Sequence, residues 1–338
     1  MRRTLVWIIF LFYLPGLIFA QSQHTENFDS LIDVSISLSE QALFNANFEE
    51  AERYINVSHF REFTFFEGKH ELRLTLQLLR IQGFKRILYR QNTNQDKTLA
   101  ILQELSPIAR NVKDKNILGD YFTLLSSAYQ STGKKDSASH YNHQALALYQ
   151  EAGNIKKVAQ IRGSQISRRH LGLQAAGETE KVLQLIPDYE NEIEFAIQCD
   201  NKYVSAYNTR HLAQIHLRQT ANYTEAMRLF QTSLELRKEI GFKLFLPASY
   251  SSIGDVTYKL GQDGKAIEMY LKSIELAEEI GFVRYQFYPR IKLGDIYQRQ
   301  GNYEGAKRLF IEALKAASAS NYEAGINEAL QALENLIK

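Results

Sequence analysis

The sequence predicts an all-α fold, an α-solenoid of antiparallel helix pairs, and a fixed-period repetition late in the chain is the main observation. Residues 233–242 (SLELRKEIGF) return as 273–282 (SIELAEEIGF). Three pairs of glycines and one pair of alanines are each separated by 40 residues: Gly241 and Gly281, Gly254 and Gly294, Gly261 and Gly301, Ala266 and Ala306. Self-similarity at a fixed period is typical of architectures in which each unit packs only on its neighbours.

The last repeat shows why each unit should be a pair of helices. Apolar residues recur at helical spacing over 291–297 and again over 306–314. Between them stands Gly301, which adopts the left-handed conformation that closes a helix at low cost. Gly294 and Ala306 are small, and we expect the two helices to cross closely at these positions. Neither helix can bury its apolar face within a lone pair, so stacking should stabilise the unit.

The other elements follow in chain order from the same small residues. We expect divergent helix pairs over 21–118, a regular array over 119–318 with a degenerate pair at 154–198, and a capping helix over 319–338. An Asn-aromatic turn at residues 47, 222 and 302 should open second helices. Spacings between small alanines indicate about seven pairs.

Glycine and proline refine these boundaries. Gly163, Gly172 and Pro187 interrupt the helical pattern of the degenerate pair. Pro247 and Pro289 are expected near the starts of first helices, where a missing N–H matters least. The aromatic-rich segment 59–68 is interpreted as packing between early repeats rather than as an exposed patch.

The pattern resembles the tetratricopeptide repeat. The residues that match in the last unit are Leu293, Gly294, Tyr297, Gly301, Ala306, Phe310 and Ala313, and those in the preceding unit are Ile253, Gly254, Gly261, Ala266 and Tyr270. The resemblance covers roughly 120–318. Its longer period is similar to the variety found in kinesin light chains and in bacterial peptide-sensing regulators. It implies a right-handed superhelix whose first helices line a concave groove that holds a peptide or partner protein.

The resemblance also implies which residues face that groove. They are Tyr207, Arg210, Gln214 and Arg218 in one unit, Asp255, Tyr258 and Lys259 in the next, and Tyr288, Asp295 and Arg299 in the last. Tyrosine and arginine are the side chains that most often anchor protein ligands. The family's carboxylate clamp, which binds chaperone tails, requires asparagine on this face. This chain has Gln214, Asp255 and Asp295 there instead, so a chaperone tail is not indicated as the ligand.

The N-terminus has the layout of a secretory signal peptide over 1–20. A basic start, Met1 to Arg3, precedes an apolar run from Leu5 to Ala20 and then a polar sequence. We expect cleavage after Ala20 and export to the periplasm or medium, with no membrane span in the mature chain. The alternative is an N-terminal anchor facing outside the cytoplasm, but the run falls short of the roughly 17–25 residues of a spanning helix.

Composition and motifs narrow the function classes. Without Arg2 and Arg3 the chain has 38 basic and 38 acidic residues, and this neutral balance argues against a nucleic-acid partner. Cys199 is the only cysteine, so no intrachain disulfide can form. Phosphate-binding and nucleophile-elbow motifs do not occur, and we expect no catalytic residues, metal or cofactor. His140 and His143 stand at ligand-like spacing but have no obvious third ligand. The sequence does not indicate an oligomeric state.

The leading hypothesis is therefore a non-enzymatic, exported scaffold that binds a peptide or partner protein in its groove, as an adaptor or sensing module. The alternative is the regulatory ectodomain of a signalling system, of the histidine kinase or transcription regulator type, whose output domain is on another chain or absent. A remote alternative is a repeat-supported hydrolase that uses His170 or Cys199 in the degenerate region.

Overall fold

Helices dominate the structure, a computed structural model that describes residues 25–61, 66–89 and 95–337. One short 3-10 turn, Lys243–Phe245, is the exception among the regular elements in these ranges. The helices are α1 (Thr25–Phe44), α2 (Phe48–Tyr54), α3 (Val57–Phe60), α4 (Gly68–Tyr89), α5 (Gln95–Glu104), α6 (Ser106–Asn111), α7 (Lys115–Ser131), α8 (Lys135–Glu151), α9 (Ile155–Ala175), α10 (Thr179–Leu183), α11 (Ile186–Gln198), α12 (Lys202–Arg218), α13 (Tyr223–Glu239), α14 (Leu246–Lys259), α15 (Asp263–Ile280), α16 (Val283–Arg299), α17 (Tyr303–Ala319) and α18 (Glu323–Ile337). The predicted signal peptide and part of the aromatic segment (62–65) lie outside the described residues.

The helices stack as an α-solenoid, which confirms the predicted fold class. Seven pairs begin with the first helices α1, α4, α7, α9, α12, α14 and α16, and α18 follows as a final helix of the described chain. The most extensive contacts join the two helices of a pair, such as α12 with α13 and α16 with α17. First helices also contact the next first helix, as α9 contacts α12 and α14 contacts α16. The first helices therefore form the inner layer of the solenoid.

An aromatic ring packed over a glycine sets the distance between the two helices of three pairs. A Cβ atom built on Gly254 would lie 2.7 Å from the ring of Tyr270, and one on Gly119 would lie 2.5 Å from the ring of Tyr149. In the last pair the ring of Phe310 covers Gly294 in the same way. The close crossing predicted for Gly294 is thus confirmed, and no larger residue fits these positions without moving a ring.

The turns within pairs rely on two local devices. Gly261 and Gly301 have the positive φ angles, 70° and 78°, that a left-handed helix end requires, so the prediction for Gly301 is confirmed. The Asn side chains at the predicted turns cap the second helices, since Asn47, Asn222 and Asn302 each accept a hydrogen bond from a backbone N–H three residues later. Such caps stabilise a helix start by about 1 kcal/mol.

Two second helices are each divided into two shorter helices at a proline, but not every proline marks a helix boundary as predicted. Pro107 and Pro187 stand in the first turns of α6 and α11, where the preceding short helix has just ended. Pro247 lies at the start of α14, as predicted. The prediction for Pro289 is wrong, because this residue lies inside α16, which begins already at Val283. Phe287 and Ile291 are both buried and continue the apolar stripe through the proline.

The degenerate pair contains a long, continuous first helix. Gly163 and Gly172 interrupt the apolar pattern of the sequence, yet both lie inside α9. Gly163 faces the next first helix, where a Cβ atom would come within 2.9 Å of Asn208 and 3.0 Å of Val204. This glycine is therefore needed for close helix packing rather than for a turn. Cys199 is buried at the end of α11, beside Ala196, as expected for a small apolar side chain.

The two N-terminal pairs pack against the later repeats as well as against their neighbours in sequence. Phe44, at the end of α1, stacks on Tyr203 with ring centroids 6.2 Å apart and meets Phe242 at 4.6 Å. The ring of Phe84 in α4 approaches Phe245 edge-on. One apolar cluster thereby joins α1 and α4 to the segments that precede α14 and α16. This contact joins the N-terminal helices to the later repeats. No helix in the described ranges is long and apolar enough to cross a membrane.

The packing of ring over glycine can be tested with one methyl group. We expect Gly254→Ala to lower the free energy of unfolding by about 1–3 kcal/mol, because the new Cβ overlaps the Tyr270 ring. The matched control is Gly172→Ala, at an exposed position inside α9. A Cβ atom built there has no neighbouring residue within 4 Å, so alanine should raise the free energy of unfolding by about 0.5–1 kcal/mol. Urea unfolding followed by circular dichroism measures both changes. Equal effects of the two substitutions would contradict the packing argument.

Candidate functional site

All ten residues predicted for the groove lie on inner-layer first helices. Tyr207, Arg210, Gln214 and Arg218 lie on α12; Asp255, Tyr258 and Lys259 on α14; and Tyr288, Asp295 and Arg299 on α16. Their surroundings divide them into three sets, which are described in turn.

The set on α12 surrounds a buried histidine. The ring of Tyr207 packs edge-on against His211, with centroids 4.6 Å apart, and His211 in turn contacts His170 and Tyr189. His211 is only 5% exposed, and its Nδ1 has no hydrogen-bond partner within the described chain. Burial, followed by the positive charge of Arg210, holds the pKa of His211 well below its usual value. The imidazole is therefore neutral at pH 7 and packs as a polar ring.

Arg210 and its neighbours on α12 lack partners. The Nε atom of Arg210 is buried, yet it makes no hydrogen bond to another described residue. Gln214 is half-buried and Arg218 is exposed, and neither forms a hydrogen bond or ion pair within the described ranges. Buried polar groups in folded proteins are nearly always satisfied, so the Arg210 guanidinium keeps hydrogen-bonding capacity that the described residues do not use.

The second set is a hydrogen-bonded network centred on Asp255. Its Oδ1 accepts one bond from the hydroxyl of Tyr270 at 2.8 Å and another from the hydroxyl of Tyr288 at 3.1 Å. Burial raises the pKa of Asp255, while the two tyrosine hydroxyls act in the opposite direction. Burial also raises the pKa of Tyr288, and Lys292 lies 5.5 Å above its ring. The network ties α14, α15 and α16 together and leaves Asp255 occupied.

The last unit differs because its covering ring has no hydroxyl. Phe310 occupies the place of Tyr270, so Asp295 has no tyrosine partner equivalent to the one that holds Asp255. Asp295 instead accepts a 3.4 Å interaction from Lys292 on the same helix, and burial raises its pKa. Asp295 is thus the half-buried carboxylate that the groove leaves most available on α16.

The third set lies at the ends of the first helices. The guanidinium of Arg299 sits 4.6 Å above the ring of Tyr258 and forms a 2.7 Å ion pair with Asp263. Lys259 is exposed beside Tyr258. Because Lys259 and Arg299 are the last residues of α14 and α16, this set borders the turns and is distant along the helix from the middle of the groove.

Arg237 was missed by sequence reasoning. It is only 3% exposed, and its Nη1 donates to the carbonyl of Phe245 at 3.2 Å and to Ser249 at 2.7 Å rather than to a carboxylate. Burial, and then the nearby charge of Arg210, lower the pKa of Arg237 to about 9, which leaves it charged at neutral pH. The sequence could have indicated that Arg237 is buried. Arg237 stands 40 residues before Ala277, the equivalent position of the following repeat, and Ala277 is a small apolar residue.

The structure does not assemble a catalytic centre from the residues named as remote candidates. His170 packs with Tyr189 near the end of α9, whereas Cys199 packs with Ala159 near its start. Eleven residues of helix, about 16 Å, separate these two positions on α9. His140 and His143 are both exposed on α8. No group of three or more histidine, cysteine or acidic residues in the described ranges is arranged to hold a metal.

Comparison with protein families finds tetratricopeptide repeats in the second half of the chain. One tetratricopeptide repeat model matches residues 203–279, and a second matches residues 290–318. These matches confirm the resemblance over 203–279 and 290–318, and the predicted groove residues other than Tyr288 lie within these ranges. No curated protein matches the chain.

Solved structures with a similar fold share little sequence with this chain. BtubC (BKLC) from P. vanneervenii superposes with a TM-score of 0.54 at 17% identity, over 68% of this chain and 93% of that one. A Rap protein complexed with Competence and Sporulation Factor superposes with a TM-score of 0.51 at 15% identity, over 93% and 98% of the two chains. At these identities the likeness establishes the helical-repeat fold alone.

The neutral state of His211 makes stability dependent on pH. The native state excludes a proton from the buried imidazole, whereas the unfolded chain binds one below about pH 6.5, so stability falls on acidification through that pH. Between pH 7 and pH 5.5 we expect His211→Gln to lose about 1 kcal/mol less of its unfolding free energy than the wild type loses. Urea titrations at both pH values measure the difference.

His143→Gln is the matched control, because His143 is exposed and should leave the wild-type pH dependence unchanged. His211→Gln with an undiminished pH dependence would show that the buried imidazole is protonated in the native state.

Proposed function

We propose that this chain is a non-enzymatic scaffold that holds a peptide, or an extended segment of a partner protein, in the groove lined by α12, α14 and α16. The tetratricopeptide repeats at 203–279 and 290–318 support a protein-binding function. The observation that carries the location is the surface of α12, where Arg210, Gln214 and Arg218 have no partner among the described residues.

The groove is suited to a peptide because it combines side chains that are held rigidly by other residues with side chains that are free to bind. The Asp255 network and the buried ring cluster around His211 are internally satisfied or tightly packed, and they fix the inner helices in position. Between these fixed parts stand Arg210 and Gln214, which offer a guanidinium and an amide. Such groups hydrogen-bond the polar backbone of an extended chain and give orientation without requiring a deep cavity.

Export is part of the proposal. The signal-like sequence of residues 1–20 supports it, and a groove protein outside the cytoplasm would act as an adaptor or as the sensing part of a signalling system. The regulatory alternative, with an output domain on another chain, makes the same use of the groove. The two differ in the bound partner, which would be a kinase or response regulator only in the regulatory case.

A matched pair of triple variants tests the groove. Arg210→Ala, Gln214→Ala and Arg218→Ala together should reduce recovery of the partner at least tenfold in affinity purification from the host envelope, since about 1.4 kcal/mol of lost binding suffices. The control combines Lys265→Ala, Lys307→Ala and Arg308→Ala, three exposed residues of the second helices α15 and α17. We expect the control to recover the partner as the wild type does.

The result that would contradict the proposal is recovery of every partner by the groove variant at wild-type levels. Both variants must show the wild-type melting curve, so that loss of binding is not loss of fold. Mass analysis of the same purified chain tests export, because cleavage after Ala20 gives an N-terminus at Gln21 whereas an uncleaved anchor retains Met1.

A further inference from the structure

The joint between the first helices α9 and α12 buries polar groups that have no partner in the described chain. Gly163 of α9 brings the two helices together, since a Cβ atom built on it would lie 2.9 Å from the side chain of Asn208. Asn208 is fully buried, yet neither atom of its amide has a hydrogen-bond partner among the described residues. Nδ1 of His211, one turn further along α12, has none in these ranges either. Polar groups that lose water without gaining a hydrogen bond weaken the contact that buries them, so this joint is held less firmly than an apolar one.

Two buried histidines face each other across the same joint. His170 of α9 is 1% exposed and His211 of α12 is 5% exposed, and their ring centroids lie 5.8 Å apart. Tyr189 of α11 shares a 3.1 Å hydrogen bond with Nδ1 of His170, and its ring stacks on His211. Burial raises the pKa of Tyr189, so this neighbour stays a neutral phenol. The ring of Tyr207 covers another side of His211, so both imidazoles are enclosed by uncharged aromatic groups.

The charged side chains that act on the two imidazoles are all cationic. Burial, followed by the positive charge of Arg218, lowers the pKa of His170. Burial also lowers the pKa of His211, and Arg210 of α12 and Arg237 of α13 act in the same direction. A proton on either ring would therefore meet both desolvation and like charge.

The carboxylates of α11, the second helix beside this joint, are engaged elsewhere. Asp188 is exposed and pairs with Arg169 at 3.2 Å. Glu192 accepts two hydrogen bonds from Arg162, at 2.9 and 2.7 Å. Within the described part of the chain, no carboxylate thus acts as a counterion for either imidazole.

The closed joint and an open one differ in their affinity for protons. Once the joint opens, each imidazole reaches water and binds a proton with its ordinary pKa of about 6.5. The closed joint excludes that proton. Its closure is therefore fully favoured above about pH 6.5 and is lost progressively as the pH falls below that value.

We propose that the joint between α9 and α12 is an acid-sensitive hinge, which pivots at Gly163 and opens at its histidine end when His170 and His211 gain protons. The pivot is the point where the helices pack most tightly, and the opening end is the one that carries the polar rings. Cys199 packs with Ala159, four residues before Gly163, and stays buried when the hinge opens. This device goes beyond the proposed function, since it changes the curvature of the solenoid whatever the groove binds.

Two proteins with a single thiol report on the two ends of the hinge. The wild type carries Cys199, which is buried at the pivot end. Cys199→Ala combined with Ser167→Cys moves the thiol to α9, one turn from His170, at a position that is 2% exposed. Both are labelled with dithiodipyridine at pH 7.5 and pH 5.5. Each rate is divided by that of the urea-unfolded chain at the same pH, which gives the equilibrium constant for opening.

We expect the opening constant at position 167 to rise by up to about 100-fold between pH 7.5 and pH 5.5, a factor of about ten for each histidine. At pH 5.5 it should exceed the constant at Cys199 at least tenfold, because the joint opens while the rest of the fold stays closed. Equal constants at the two positions would show that the whole fold opens, and would overturn the hinge.

Histidine variants of the protein labelled at position 167 identify the groups that respond to pH. His170→Gln and His211→Gln should each leave a rise of about tenfold, and the two together should abolish it. The control is His143→Gln, an exposed residue of α8, which should keep the full rise. Circular dichroism melting curves establish that the variants are folded.

Arg218→Glu serves as a further variant if the double histidine variant does not fold. Arg218 is exposed, and a carboxylate in its place offers His170 a counterion in the closed joint, so the rise should become several-fold smaller. An opening constant that does not change with pH, or a full rise in the double histidine variant or in Arg218→Glu, would overturn the hinge. Either result would leave the groove proposal intact, because labelling does not depend on a bound partner.

Discussion

The architecture depends on one steric constraint, an aromatic ring of the second helix packed directly onto a glycine of the first. Tyr270 on Gly254 and Phe310 on Gly294 leave no space for a Cβ atom, so the two helix axes are held close together. Because the next residue in each first helix is an aspartate, the same packing places Asp255 and Asp295 beside the covered glycine, and Asp255 bonds the neighbouring helices from there. The spacing of the pair and the placement of the polar groups therefore have one cause.

This constraint also explains why similar repeats present different chemistry. Where the ring is a tyrosine, its hydroxyl bonds the aspartate, as Tyr270 bonds Asp255 and as Tyr149 bonds Asp120 at 2.7 Å. Where the ring is Phe310, the bond cannot form and Asp295 stays more available. A single hydroxyl thus decides whether a repeat uses its aspartate to join helices or leaves it for a ligand. The first case adds rigidity, and the second adds a possible contact.

Structural features that recur in every repeat could be predicted from the sequence, whereas contacts that occur only once could not. Recurring glycines and alanines identified the helix pairs, and Gly301 identified a turn, because each carries a local steric requirement that shows in sequence. The contact between Phe44 and Tyr203 joins residues that are far apart in the chain. It does not recur from repeat to repeat, so no periodic pattern in the sequence predicts it. His170 lay in a segment whose pattern was too weak to assign a register.

The local sequence pattern also gave a wrong start for helix α16, and it could not predict which charged groups of the groove are paired. Pro289 is tolerated inside α16 because buried residues on either side continue the helix, and a rule about proline alone cannot include that packing. Likewise, the ten groove residues were assigned by register, but which of them are occupied depends on partners from other helices. Asp255 and Arg210 look equally available in sequence, and only the packed structure separates them.

Site-specific photocrosslinking tests the central claim most directly, that the inner face of the first helices is the binding surface. A benzophenone amino acid placed at Tyr207, half-buried on α12, is compared with the same group at Tyr303, which is 58% exposed on the second helix α17. Our account predicts that irradiation in the host joins the partner to position 207 and not to position 303. Crosslinks from position 303 alone would contradict it and would place the binding surface on the outer helices.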